Sequence, residues 1–322
     1  MMMNSMKNQC KAAPGTLIEG KWHKNCYTLI KELGYGANGV VYLVRRNHQY
    51  AALKMSSNGA SITLEVNVLK SFAKVQASAL GPSLLDVDDW VTKSGNIPFY
   101  VMEYIQGPDL LTFIEQKGHA WLPVLMLQLL NDLEKLHQSG WVFGDLKPEN
   151  IIVTGPPVQV RCIDVGGTTL RGRAIKEFTE FYDRGYWGLG SRKADPGYDL
   201  FAVAMIMMNT VYPKRFNKSE GGLSQLTWMV KQKDVLKGYE KIILHAFQGH
   251  YQSAAQMRRE LLAAVNKEQP AARSVVQQSR TTKKVSAKRQ QHKRKKGGIM
   301  ETVIIFLIVI SFYVIYMFGQ LI

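Results

Sequence analysis

Cysteine is scarce in this chain of 322 residues: Cys10, Cys26 and Cys162 are the whole supply. Three scattered thiols make neither a disulfide framework nor a zinc site, and the odd count fits a reducing, intracellular compartment. The opening residues, MMMNSMKNQCKAAPG, lack the apolar core of a secretory signal. Internal repeats are absent. The bulk composition is ordinary, with 46% hydrophobic, 20% charged and 10% aromatic residues, which excludes wholesale disorder, collagen-like repeats and a polytopic membrane protein. The length suits one or two domains with a sizeable core.

Charge is the outlier, at a formal +16. From residue 267 onward, 11 Lys/Arg face only Glu268 and Glu301, whereas residues 1–266 hold 30 bases and 23 acids. Ten bases lie within 273–296, with no acid among them and few apolar residues large enough to nucleate a core. Residues 267–298 therefore read as a basic linker, disordered or fraying-helical. The run that follows, TVIIFLIVISFYVIYMFGQLI at 302–322, is uncharged. As a helix it would extend about 31 Å, the thickness of a bilayer's hydrocarbon core. We expect one C-terminal membrane span, with the basic flank and everything before it on the cytoplasmic side of the cell membrane. The linker has two candidate partners. Anionic lipid would attract it by about 1 kcal/mol per base near the surface. Duplex DNA would be met through its phosphates, since no aromatic residue interleaves 267–298 for base stacking.

The first chemical motif is Gly34-Tyr35-Gly36-Ala37-Asn38-Gly39. A lone G-x-G-x-x-G is a weak signal, and in dinucleotide-binding folds a helix follows it. Here strands flank it on both sides, at 27–33 and 40–44, so it is a hairpin tip: either a plain turn or a flap over nucleotide phosphates. Lys54 lies in a third strand, Tyr50-Ala51-Ala52-Leu53-Lys54. A lysine in an apolar strand needs an anionic partner if it is buried, and is otherwise an edge charge. Glu65, on a helical stripe with apolar neighbours at 62, 66 and 69, is the nearest candidate; the alternative is a solvated helix face.

The strongest signal is Gly144-Asp145-Leu146-Lys147-Pro148-Glu149-Asn150, between a helix at about 121–138 and a strand. Nineteen residues past Asp145, Asp164 closes another strand ahead of Gly166. The turn Thr154-Gly155-Pro156-Pro157 pairs the two strands, which brings Asp145, Asn150 and Asp164 to one mouth. Two carboxylates and an amide suit a hard cation such as Mg²⁺, and phosphoryl transfer demands such a cation together with a lysine.

This ordered set resembles the protein kinase family, specifically the bacterial Hanks-type serine/threonine kinases, over residues 27–266. The basic stretch and terminal span resemble its C-terminal single-span members, sporulation kinases among them. The resemblance implies an α+β, bilobal fold: an extension at 1–21, a β-rich N-lobe at 22–103, a mainly helical C-lobe at 104–266, the linker at 267–298 and a transmembrane helix at 299–322. It implies ATP and Mg²⁺ as cofactors and protein Ser/Thr as substrate. Gly34, Gly36, Gly39 and Val41 would cover the nucleotide, Lys54 would bind its α/β phosphates and pair with Glu65, and Met102, Glu103 and Ile105 would form the gatekeeper and adenine-binding hinge. Asp145 would accept the proton of the attacking hydroxyl, Lys147 would steady the γ-phosphate, and Asn150 and Asp164 would hold the metal. Lysine two residues after the catalytic acid is the family's serine/threonine pattern, and Asp199 resembles the buried acid that anchors the catalytic loop.

The sequence also departs from the family. Gly144 replaces the arginine that grips a phosphorylated activation loop, so activity is expected not to need a phosphate read there, whether on Thr168, Thr169 or Thr179. Val165 replaces a phenylalanine. The A-P-E motif is unrecognisable around Tyr186-Trp187-Gly188-Leu189-Gly190, and Tyr251 stands where its arginine partner would be. No substrate-contact residue is assigned in 166–198. Two alternatives remain: a sugar- or aminoglycoside-type small-molecule kinase, which Gly144-Asp145 also resembles, and a non-catalytic ATP-binding scaffold.

Overall fold

The computed structural model describes residues 10–36, 39–74, 80–93 and 95–281. The expected transmembrane helix at 299–322 and the linker beyond 281 lie outside the described residues, and no helix among those described is long and apolar enough to cross a membrane.

The first half of the chain builds one antiparallel sheet from β1 (Leu17–Glu19), β2 (Cys26–Gly36), β3 (Gly39–Arg46), β4 (Gln49–Met55), β5 (Leu84–Thr92) and β6 (Gly95–Glu103). Its spatial order is β1-β2-β3-β4-β6-β5. Side chains alternate across a strand, and in β4 and β6 both faces are buried. Ala51, Leu53, Met55, Ile97, Phe99 and Val101 enter one apolar cluster, while Ala52, Tyr100 and Met102 enter another, shared with Ile62, Val66 and Leu69 of α1 (Gly59–Lys74). This second face carries Lys54.

The stretch 1–21, expected as an extension, is in part a piece of this sheet. Ile18 is fully buried and pairs with Tyr27, and Lys21 N–H donates to the Asp89 carbonyl at 2.8 Å. The sheet thereby curls until its two edges meet. A three-residue strand with one buried side chain leaves too short an alternation to stand out in sequence. A polar lock secures the junction. Asp86 receives His23 Nδ1 at 2.7 Å, Asn25 Nδ2 at 2.8 Å and the Tyr27 hydroxyl at 2.6 Å. Asp88 accepts the backbone N–H groups of Trp22 and His23 at 2.9 and 2.7 Å. Gly20 is required here, because a Cβ would stand 2.3 Å from Asp88 Oδ2. Burial pushes both carboxyls up, but the converging donors outweigh it and both end below the usual carboxylate range.

The second half is mainly helical: α2 (Leu110–Lys117), α3 (Leu122–Gln138), α4 (Arg184–Trp187), α5 (Pro196–Asn209), α6 (Gly222–Lys231), α7 (Asp234–Lys237), α8 (Glu240–Phe247) and α9 (Ala254–Thr281). Short strands β7 (Trp141–Val142), β8 (Ile151–Thr154), β9 (Gln159–Cys162) and β10 (Thr169–Leu170) pair as β7 with β10 and β8 with β9. α5 is apolar on every face, with every residue from Tyr198 to Asn209 buried, as befits a helix at the centre of a helical core. α3 turns Leu125, Leu129, Leu133 and Leu136 inward. A β-rich half followed by a helical half is the expected α+β plan. α9 continues to Thr281, so the first part of the expected linker is helical, and one compact unit ends at Pro270.

Replacing Asp86 with Asn should lower stability by about 2–3 kcal/mol at neutral pH, since hydrogen bonds to a buried charge are lost. The native carboxylate's contribution is complete above its unfolded pKa of about 3.9 and disappears as pH falls through the lower folded value. Urea melts of the two proteins should therefore separate at pH 7 and converge toward pH 3.

Candidate active site

Strand register decides what surrounds Lys54: it is flanked by Val41 on β3 and Tyr100 on β6. Its Nζ donates to both Glu65 carboxylate oxygens, at 2.7 and 2.6 Å, and the Tyr100 hydroxyl donates to Glu65 Oε2 at 2.7 Å. Lys54, Glu65 and Tyr100 are all buried. Burial pushes the Glu65 carboxyl above its ordinary value, with Lys54 and Tyr100 pulling against it. Removing one member of such a buried pair strands the other, a loss of about 3–5 kcal/mol.

The catalytic-loop segment hangs from Asp199 in the first turns of α5. This carboxylate is fully buried. It accepts the backbone N–H of Phe143 at 2.8 Å and of Gly144 at 2.9 Å, and His137 Nε2 lies 2.8 Å from it. Gly144 adopts φ +85°, and a Cβ there would lie 2.5 Å from the Gly167 carbonyl oxygen. No side chain fits, so no arginine could read a loop phosphate from this position.

With its backbone held, the loop presents Asp145. Lys147 Nζ donates to Asp145 Oδ2 at 2.5 Å, and the Thr179 hydroxyl donates to Asp145 Oδ1 at 3.0 Å. Asn150 Nδ2 donates to the Asp145 carbonyl at 3.2 Å, which leaves the amide oxygen as the end free to face a cation. The β8–β9 hairpin sets Ile151 opposite Cys162 and so carries Asp164 to the same mouth. Asp164 Oδ1 accepts Gly166 N–H at 3.0 Å.

A cavity of about 680 Å³ joins these groups, large enough for a nucleotide. Asp145, Lys147, Asn150, Asp164 and Lys54 line its polar end, under Gly34, Gly36, Gly39 and Val41. Met102, Glu103 and Ile105 line the other end, with Leu33, Ala52, Ile152 and Ile163. Gly34 and Gly36 have open space where a Cβ would go, whereas Gly39, at φ +136°, closes on the Met55 carbonyl at 2.3 Å. Two glycines thus leave room for a ligand and the third lets β3 approach β4. Every site residue expected from sequence lies on this cavity except Glu65, which reaches it through Lys54. Glu103 plays a second part. Its side chain takes Arg161 at 2.8 and 3.0 Å, and its N–H donates to the Ser83 carbonyl at 2.9 Å, so the hinge is tied to β9.

The model for the protein kinase domain matches residues 27–292. The chain belongs to the protein kinase family. It is 56% identical over 257 residues to serine/threonine-protein kinase YabT of Bacillus subtilis (strain 168), covering 79% of this chain and 76% of that protein. It is 32% identical over 149 residues to serine/threonine-protein kinase ppk31 of Schizosaccharomyces pombe, which spans 44% of this chain but 14% of the relative. Against serine/threonine-protein kinase SBK2 of rat the figures are 29% over 154 residues, 47% of this chain and 42% of the relative.

The kinase's unusual stretch at 166–198 has an anchor that sequence reading passed over. Asp183, fully buried, caps α4 through Gly185 and Tyr186 N–H at 3.0 and 2.9 Å and accepts the Tyr198 hydroxyl at 2.9 Å. Arg192 Nε donates to it at 2.7 Å, and Arg184 pairs with Asp195 at 2.6 Å. Two ion pairs within the segment thus tie its chain together. Tyr251 has turned to Glu260, to which its hydroxyl donates at 3.0 Å. Val165 is buried and flanks Gly81 together with the Phe72 ring of α1. Thr179 and Tyr100 were also missed. An Asp ahead of Arg-Gly signals a helix cap, but nothing local marks either of those hydroxyls.

Thr179 also alters what a threonine scan would mean. The Thr168 side-chain oxygen is buried and Thr169 Oγ1 bonds the Gly167 carbonyl at 2.9 Å, whereas Thr179 holds Asp145. Thr168→Ala and Thr169→Ala should each keep near-native kcat. Thr179→Ala should lower it about 10–100-fold, the loss of a hydrogen bond to a charged group, and Thr179→Ser should restore most of it. Steady-state kinetics on the three alanine variants and the serine variant checks this.

Proposed function

We propose that this protein is a membrane-anchored serine/threonine protein kinase that transfers the γ-phosphoryl group of ATP to protein hydroxyls. One observation carries the reading: Asp145, bonded to Lys147 and Thr179, shares a cavity with Lys54, Asn150 and Asp164. Asp145 Oδ is placed to orient an entering hydroxyl and accept its proton. Lys147, already on Asp145, is placed to steady the transferring oxygens, and Lys54, held by Glu65, to bind the inner phosphates. Asn150 and Asp164 supply the hard oxygen ligands that Mg²⁺ takes, and the ion when bound would neutralise phosphate charge. The lysine at 147 and the names of the relatives favour serine and threonine as acceptors.

Radiolabelled ATP and the purified chain test this. Label should appear on serine and threonine of a protein substrate, should require Mg²⁺, and should fall at least about 100-fold in Asp145→Asn, the usual range for a lost general base. Label found only on a sugar or aminoglycoside, or nowhere, would refute it.

The run at 302–322 supports anchoring in the cell membrane with the kinase domain on the cytoplasmic face, and the bases at 273–296 support contact with anionic lipid or duplex DNA. Deleting 302–322 should move the protein from the carbonate-washed membrane fraction to the soluble one. Against vesicles containing phosphatidylserine and against duplex DNA at low salt, a 1–298 fragment should bind more tightly than a 1–266 fragment to at least one, with an affinity that falls as salt rises.

A further inference from the structure

Between β10 and α5 the chain doubles back on itself, with α4 in the excursion between the two arms. Gly172 N–H donates to the Ala194 carbonyl and Ala194 N–H to the Arg173 carbonyl, both at 2.7 Å, and Ile175 N–H to the Arg192 carbonyl at 2.8 Å. Ala174 and Lys193 face each other in an antiparallel bridge. The ribbon's inner side is apolar: Ile175 and Ala194 are buried in a small cluster with Val142 and Tyr198. Its Ile175 lies under the catalytic loop, since a Cβ on Gly144 would meet Ile175 Cδ1 at 3.2 Å.

The segment's exposed charged side chains are mostly basic. Arg171, Arg173, Lys176 and Lys193 are exposed, and none of them forms an ion pair among the described residues. The segment's other cations, Arg184 and Arg192, are already tied to Asp195 and Asp183. The acids nearby are occupied elsewhere or few. Glu149, two residues past Lys147, is paired with Arg215, and the Glu177 carboxylate turns toward Gly166 at the cleft mouth. Glu180 is the exposed acid that remains beside the four bases. Distance along the chain keeps this strip close to the chemistry. Lys176 is three residues before Thr179, whose hydroxyl is 3.0 Å from Asp145, so the two backbones are at most about 11 Å apart, and Arg173 at most about 22 Å. A peptide whose hydroxyl sits at Asp145 has its neighbouring residues within reach of the ribbon.

We propose that this ribbon is a docking strip for acidic stretches of the protein substrate, so that carboxylates flanking the acceptor serine or threonine lower KM. The proposal rests on the protein-kinase reading and adds its substrate class. Exposed cations without an ion-pair partner attract and align an anionic chain. Because single exposed pairs contribute little, the strip acts as a set, and its effect is screened by salt.

The test uses the full chain and the triple variant Arg171→Gln/Arg173→Gln/Lys193→Gln, which leaves Lys176 in place because it lines the cleft. Three serine peptides differ only in whether their flanks are acidic, neutral or basic. The acidic peptide should show a KM about tenfold below the neutral one at low salt, and the triple variant should remove that advantage. The kcat values and the neutral peptide's KM should not move, and thermal melting should match the wild type. Binding of the fluorescent acidic peptide, read by anisotropy, should weaken by the same factor without needing turnover. An unchanged acidic-peptide KM and affinity in the variant would overturn the proposal, as would a preference for the basic peptide. A variant that loses duplex-DNA binding while keeping the acidic peptide would assign the strip to nucleic acid instead and overturn it too. Peptide binding that depends on the strip, with no phosphorylation of any peptide, would refute the kinase reading alone.

Discussion

The catalytic centre depends on one fully buried carboxylate. Asp199 takes two backbone N–H groups from the loop that ends in Asp145 and a third hydrogen bond from His137. Burying a carboxylate without hydrogen-bond donors is costly, and two of the three donors here belong to the segment that must be held, the third coming from α3. The same contact that makes the carboxylate tolerable in an apolar helix fixes φ of Gly144 in the left-handed region and aims Asp145 into the cleft. Without that contact, Asp145, Lys147 and Asn150 would be polar residues on an untethered loop.

A second constraint follows from it. At Gly144 the backbone approaches the Gly167 carbonyl so closely that the position cannot carry a side chain. A kinase that dispenses with the loop arginine must position its activation segment by other means. Here those means are Thr179 on Asp145, Ile175 under the loop, and the Asp183–Arg192–Tyr198 cluster at the base of α4. The lost family ion pair leaves no stranded charge, because Tyr251 is neutral and finds Glu260.

The upper half of the cleft rests on a different device. β4 and β6 bury both faces, so a lysine on β4 lands beside an apolar helix and must have an anion. Glu65 provides it, and Tyr100 hydrogen-bonds the same carboxylate from the neighbouring strand. The curled sheet, locked at Asp86 and Asp88, holds the two strands that carry Lys54 and Tyr100, while α1 supplies Glu65.

Local chemistry was legible without coordinates where a residue type and its immediate neighbours suffice: the hairpin tip at Gly34 to Gly39, the strand bearing Lys54, the D-x-K-x-x-N loop, and the acid and glycine at Asp164 and Gly166. Alternation and turn residues carry that information within a few positions. The short edge strand around Ile18, the hydroxyl of Thr179 on Asp145, Tyr100 on Glu65, and Asp183 within its cluster were decided by the tertiary structure alone. Each is a contact between segments separated by several to several dozen residues, and a side chain whose role is set by a distant partner leaves no periodicity for the sequence to display.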